Sequence, residues 1–155
     1  MRISPKSDFS TIVDETGTAM HLQLAALCLR KGKKEPEVLL VTSSAGRWIL
    51  PKGWPMDGKK NSEAAMIEAW EEAGVRKAKV ARKPVGSFMT TKERGPKSRP
   101  EPCLVKVFEL KVSETKRDYP EADDRDRKWV SLSKAIKIVD DAGLRDFLKG
   151  YRKSL

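Results

Sequence analysis

Hydrophobic and polar positions divide the chain into short segments of two kinds. Residues 22–30 (LQLAALCLR) are an almost unbroken apolar run, and residues 37–42 (EVLLVT) are a second one, so both predict strands. The KGKKEP stretch between them predicts a turn, giving a hairpin that is basic at its tip. Residues 48–50 (WIL) predict a short apolar strand broken by Pro51 and Gly53. A helix follows, with Asn61 or Ser62 able to cap its start and Gly74 supplying the left-handed residue that ends it. Residues 79–91 and 101–112 predict two longer strands joined by a polar loop, residues 113–126 a charged loop, and residues 128–130 (KWV) a short strand. Ser131 or Ser133 opens a helix through about residue 140, with Ala135, Ile136 and Val139 on its apolar side. Gly143 starts a last helix, where Leu144, Phe147, Leu148 and Tyr151 recur at helical spacing as a core-facing stripe. Residues 1–17 predict an irregular leader. The order β-β-β-α-β-β-β-α suits one α/β domain over residues 1–155, a mixed sheet between helices.

The chemistry concentrates in residues 53–75 (GWPMDGKKNSEAAMIEAWEEAGV). Glu68, Glu71 and Glu72 fall within roughly a 100° arc of one helix face. Like charges so close destabilise an isolated helix. Either the face is a solvated acidic stripe, or a divalent cation offsets the repulsion. The surroundings favour the ion: a short strand, a loop carrying Asp57, Gly58 and Asn61, then the carboxylate helix. Glu68 and Glu72 stand one turn apart and can both reach one Mg²⁺, and Mn²⁺ has the same preference for octahedral oxygen ligands. The glutamates are expected to face an open cleft.

This spacing resembles the Nudix box, which runs Gly, five residues, Glu, seven residues, then Arg-Glu-aliphatic-any-Glu-Glu-any-Gly-aliphatic. Aligned from Gly53, the residues Glu68, Ala69, Glu71, Glu72, Gly74 and Val75 match. Lys59 stands in place of the early Glu and Ile67 in place of the Arg. An Arg at 67 would pair with Glu71 one turn on, and Ile67 removes that partner. Residues 25–30, 37–44, 47–51, 127–130 and 135–139 extend the likeness over most of residues 22–148. Within the family they resemble the diphosphoinositol-polyphosphate and diadenosine-polyphosphate hydrolases. The resemblance implies a Nudix α/β/α sandwich, a backbone carbonyl of Lys52 or Gly53 as a further metal ligand, and Glu71 as base, although Glu71 can equally be a third ligand. It also implies that Ser43, Ser44 and Arg47 lie in a substrate-side loop. Arg94, in a loop that also carries Lys92, Lys97 and Arg99, is implied as a phosphate contact, as are Arg125 and Arg127.

A net charge of +10 raises the encounter rate with polyanions without choosing among them. No apolar run of 18 residues or more exists, so no membrane span is expected, and the first residues lack the apolar stretch of a secretory signal. Cys28 and Cys103 sit in apolar runs and predict buried thiols, which fits a cytoplasmic protein. With a single His and no CxxC, a zinc site of the His/Cys type is not expected. Trp48 and Trp129 predict core positions, Trp70 packs against the sheet, Trp54 shields its loop, and His21 is a surface or strand-edge residue.

The leading expectation is a metal-dependent pyrophosphohydrolase acting on a polyphosphorylated small molecule such as a diphosphoinositol or diadenosine polyphosphate. Nucleoside triphosphates or RNA 5′ ends are the alternative substrates, with RNA held through its phosphates. Ile67 and Lys59 motivate another reading, a weakened module that binds polyanions without turnover. Nothing in the sequence specifies an oligomeric state.

Overall fold

The computed structural model describes residues 11–13, 17, 19–92 and 100–155. Its strands are β1 (Thr11–Val13), β2 (Ala19–Arg30), β3 (Glu37–Thr42), β4 (Trp48–Ile49), β5 (Lys52–Gly53), β6 (Val75–Val80), β7 (Gly86–Lys92), β8 (Glu101–Thr115) and β9 (Arg127–Ser131). Its helices are α1 (Asn61–Ala73), α2 (Leu132–Ile138) and α3 (Ala142–Lys153). The strands form one mixed sheet.

β2 is the sheet's centre. It runs parallel to β8, from His21↔Cys103 to Leu29↔Lys111, and antiparallel to β1, β3 and β5. Residues Leu22–Leu29 of β2 are buried on both faces, as the unbroken apolar run requires. The expected hairpin forms, but β2 and β3 stay paired only at Leu29↔Val38 and Arg30↔Glu37. Beyond those pairs β3 turns to β9 and β4, while β5 takes the place beside β2. One core packs α2 and α3 on Ala25, Leu27, Leu40, Val105 and Val107. The other packs α1 on Leu24, Ala26, Leu39, Val41, Phe108 and Leu110. The architecture is therefore the α/β sandwich of a mixed sheet between helices.

Several expectations are refined. The strand expected over 79–91 starts earlier and is interrupted. β6 and β7 both lie along β8, but residues 81–85 bulge, held by Ala81 N–H to Glu109 O and Val85 N–H to Val107 O. Pro84 has no N–H for the ladder, which accounts for the break. β8 continues through residues 113–115, expected as loop, because Val75 and Lys77 supply partners there. α3 begins at Ala142, with Asp141 as its cap accepting from Leu144 N–H at 3.1 Å. Its stripe buries Leu144, Leu148 and Tyr151. Trp48 and Trp129 are only half-buried; each carries a cation on its ring, Lys128 at 4.3 Å and Arg30 at 4.4 Å from the centroid. Cys28 and Cys103 are buried.

Candidate active site

α1 lies against the sheet through Ala64, Ala65, Ala69 and Ala73, whose small side chains bring the helix close. Neither Asn61 nor Ser62 caps it. Lys60 holds the cap position, and the Glu63 carboxylate accepts its backbone N–H at 2.9 Å, the returning arm of a capping box. The helix ends at Gly74, which adopts φ 69°. A side chain at Gly74 would also strike Arg127, Tyr119 and the Lys116 carbonyl, so the left-handed turn and the close packing both require glycine.

Glu68 and Glu72 share the buried side of this helix. Glu68 is 0% exposed and Glu72 is 3% exposed, not open to a solvent cleft as expected. A solvated acidic stripe is thereby ruled out for this pair. Gly53 faces Glu68: a Cβ there would overlap the Glu68 carboxylate and its stem. Glu72 Oε1 accepts the Lys52 N–H at 3.3 Å, which ties β5 to the helix from the other carboxylate. Glu71 lies 60° round the helix from Glu68 and is half-buried. Its carbonyl accepts the Glu121 N–H, so the loop before β9 folds over the end of α1.

Two arginines secure that end. Arg125 Nη2 stands 3.9 Å from Glu72 Oε2, while its other nitrogens reach Glu121 Oε1 at 2.9 Å and the Thr42 carbonyl at 2.8 Å. Arg127 donates to the Ala73 carbonyl at 2.7 Å and lies over the Tyr119 ring at 4.8 Å, a cation at a helix C-terminus. The family resemblance implied phosphate contacts for both; in the structure each also bonds protein groups. The structure also shows what stands against the acids when the box arginine is absent. Ile67 lines a cavity of about 350 Å³ beside Lys59, Met66 and Val80, and Arg125 is a cation beside Glu72.

Beside β5, a cleft of about 650 Å³ is lined by Ser43, Arg47, Trp48, Lys52, Thr90 and Asp141, among others. The turn that presents Ser43 and Arg47 closes on itself. Ser43 N–H donates to Arg47 O, Arg47 N–H donates to Ser43 Oγ, and Gly46 takes φ 77°. Ser44 belongs to the same turn. Lys52 is half-buried there. Burial pushes its ammonium pKa down, against the pull of Cys103, Asp141 and Glu72. Thr90 hydrogen-bonds Asp141. The Lys52 side chain and Asp141 went unnoticed in the sequence; the one available signal was a cation inside an otherwise apolar strand break. Arg94, Lys97 and Arg99 lie outside the described residues. Trp54 covers its loop edge-on to His21, centroids 5.7 Å apart, and His21 Nε2 bonds Glu101.

Residues 21–151 match the NUDIX domain family. The chain belongs to this family. The diphosphoinositol polyphosphate phosphohydrolase 3-alpha of Mus musculus is 36% identical over 119 residues, covering 74% of this chain and 66% of that protein. The chain thus spans just under two thirds of that relative's length. Nudix hydrolase 21, chloroplastic, of Arabidopsis thaliana is 31% identical over 165 residues, covering 96% of this chain and 78% of the relative. Among solved structures, a C. elegans Ap4A hydrolase binary complex superposes with TM-score 0.60 at 23% identity, covering 85% of this chain and 95% of that one. The NUDIX domain of Shewanella oneidensis NrtR with ADP ribose gives 0.66 at 16%, covering 91% and 92%. These likenesses establish the fold.

The donor set suits a hard divalent cation. One buried carboxylate, Glu68, meets the Gly53 backbone with no side chain between them, and a second, Glu72, accepts the neighbouring Lys52 N–H. Among the described residues, no three His, Cys, Asp or Glu side chains converge as a metal cage. A site of two carboxylates completed by backbone oxygen and water is one that magnesium accepts. No helix among the described residues is long and apolar enough to cross a membrane.

Proposed function

We propose that the protein is a Mg²⁺-dependent pyrophosphohydrolase that cleaves phosphoanhydride bonds of a polyphosphorylated small molecule, with a diphosphoinositol or diadenosine polyphosphate as substrate. The observation that carries this reading is the burial of Glu68 and Glu72 together, with Glu68 against the bare backbone of Gly53. Burying two carboxylates one turn apart is costly, and a cation at that spot offsets the cost. Glu68 and Glu72 would hold the ion with a backbone carbonyl of Lys52 or Gly53; Mn²⁺ fits the same donors. When bound, such an ion neutralises phosphate oxygens. Glu71 takes the proton from the attacking water, and the leaving phosphate departs with the bridging oxygen. Ser43, Ser44, Arg47 and Arg94 hold phosphate oxygens. Arg125 and Arg127 act one step back, fixing the acid-bearing end of α1. Two buried cysteines in apolar strands support a reducing, cytoplasmic setting.

The names of relatives favour inositol or dinucleotide polyphosphates over RNA ends, and a net charge of +10 suits such dense anions. The test is phosphate release with Mg²⁺ from a diphosphoinositol polyphosphate, a diadenosine polyphosphate, nucleoside triphosphates and a 5′-triphosphorylated RNA. Metal-dependent turnover that disappears in Glu72→Gln is the expected result, and the preferred compound names the substrate. Turnover confined to RNA would move the assignment to 5′ ends. Mg²⁺ binding without turnover on any compound would leave a polyanion-binding module, the reading that Ile67 motivates.

A further inference from the structure

We propose that one end of the sheet, built from the β2–β3 hairpin tip, β6 and β8, binds the phosphate backbone of double-stranded DNA. Across that end, Leu29 of β2 pairs with Lys111 of β8, and Lys111 pairs with Lys79 of β6. Leu29 faces the α2–α3 core, so both lysines stand on that side of the sheet. Lys79 and Lys111 are exposed and directly opposite each other. Like charges so placed on neighbouring strands destabilise a sheet. Lys77, two residues before Lys79 in β6, shares their face, and Lys33 and Lys34 are exposed at the tip that extends β2.

The fold does not account for this grouping. Cations on an edge strand guard against stray pairing, which explains Lys77 and Lys79 of β6. That reason does not reach Lys111, because β8 lies between β2 and β6 there. The acids of this end are engaged by other groups. Glu35 accepts the Ser133 N–H at 2.7 Å and faces Arg152 at 3.7 Å. Glu37 holds Arg30 at 2.7 Å, and Glu109 accepts the Tyr151 hydroxyl at 2.8 Å. Glu114 stands 4.0 Å from Arg76 and 3.7 Å from Lys116. An external polyanion would offset the repulsion that these acids leave in place.

The spacing fits a duplex. The lysines of the tip and of β6 are separated by β8, two strand spacings or roughly 10 Å. The major groove of B-form DNA is about 12 Å wide, so two such rows can meet the phosphates on its two sides. A single strand is held by stacking its bases on exposed rings. The rings here are covered: Tyr151 is buried, and Arg30 lies over Trp129. α3 keeps this end away from the cleft. Ala142 and Gly143 line the cleft, whereas Tyr151 reaches Glu109 and Arg152 reaches Glu35, roughly 12–15 Å further along the helix.

The test is fluorescence anisotropy of a DNA duplex of about 20 base pairs, titrated with the full chain in chelator from about 50 to 200 mM salt. Its 5′ ends are hydroxyls, so the duplex offers no phosphoanhydride. Five phosphate contacts give a slope of about −4.5 in log affinity against log salt. Lys79→Gln/Lys111→Gln should flatten that slope by about 2 and weaken low-salt binding about tenfold or more. It should not lower the melting temperature, since it relieves the like-charge pair. Lys60→Gln/Lys128→Gln removes the same charge before α1 and in β9, and should leave the slope nearly unchanged. If the sheet variant fails to fold, Lys33→Gln/Lys34→Gln decides: a flattened slope supports the proposal and an unchanged one overturns it. No wild-type binding at low salt, or equal losses in the sheet variant and the Lys60/Lys128 variant, would overturn it. So would tighter binding of the single strand or of duplex RNA, or binding to phosphatidylserine vesicles in place of DNA. None of these readouts involves turnover, so the outcome is independent of the hydrolase reading.

Discussion

Replacing Gly53 with alanine tests the link between the short strand β5 and the acid pair. The backbone of Gly53 lies outside the left-handed region, so alanine brings no conformational strain. Its whole effect is one methyl group placed against the Glu68 side chain, overlapping the carboxylate and the carbons behind it. Glu68 is 0% exposed, and its helix is pinned to the sheet by alanines, so there is little room to yield. Forcing an extra methyl into such packing costs about 1–3 kcal/mol. For a chain of this size that lowers the melting temperature by roughly 2–12 °C. A carboxylate displaced by about 1 Å also costs on the order of 10²-fold in turnover. The assay is thermal unfolding by circular dichroism, with Mg²⁺-dependent phosphate release on the same samples. The double variant Gly53→Ala/Glu68→Ala removes both partners of the overlap and should recover much of the lost stability, though not activity. A Gly53→Ala protein that melts like the wild type would refute the reasoning, because the acid would then have space to move.

Arg125→Met removes donors to Glu121 and Thr42 and a cation beside Glu72, and should cost about 2 kcal/mol, or roughly 4–8 °C in melting temperature. If Arg125 positions Glu72, kcat falls more than KM rises; a loss confined to KM would make it a phosphate contact. Hydrogen bonds from Ser133 hold the Glu35 carboxyl below its usual pKa, so its stabilisation is present above the ordinary carboxylate range and is lost as pH falls through the lowered folded value. The gap in urea midpoint between wild type and Glu35→Gln should therefore close with acidification, and a gap constant from pH 7 to pH 3 would contradict this. Burial pushes the Cys28 thiol up to about 12. Ellman's reagent at pH 8 should then leave Cys28 unlabelled in the native protein and label it in denaturant; rapid native labelling of Cys28 would mean that β2 opens.

Local pattern and spacing determined much of this protein. The apolar run of residues 22–30 was legible as a strand, and its residues 22–29 are buried in the sheet. Gly74 was legible as the end of a helix, and the clustering of Glu68, Glu71 and Glu72 before it suggested a cation, with a backbone ligand implied by the family resemblance. Those are short-range facts, set by backbone geometry and helical period. Tertiary structure decided which groups meet across long separations in the chain. It brought Arg125 to Glu72 and Thr42, turned Arg127 to the end of α1, and placed Asp141 and Lys52 on one cleft. It also decided burial. Glu68 and Glu72 read as polar positions of a helix face, yet the alanines beside them draw that face onto the sheet. Burial depends on what the rest of the fold lays over a residue, and no local pattern records it.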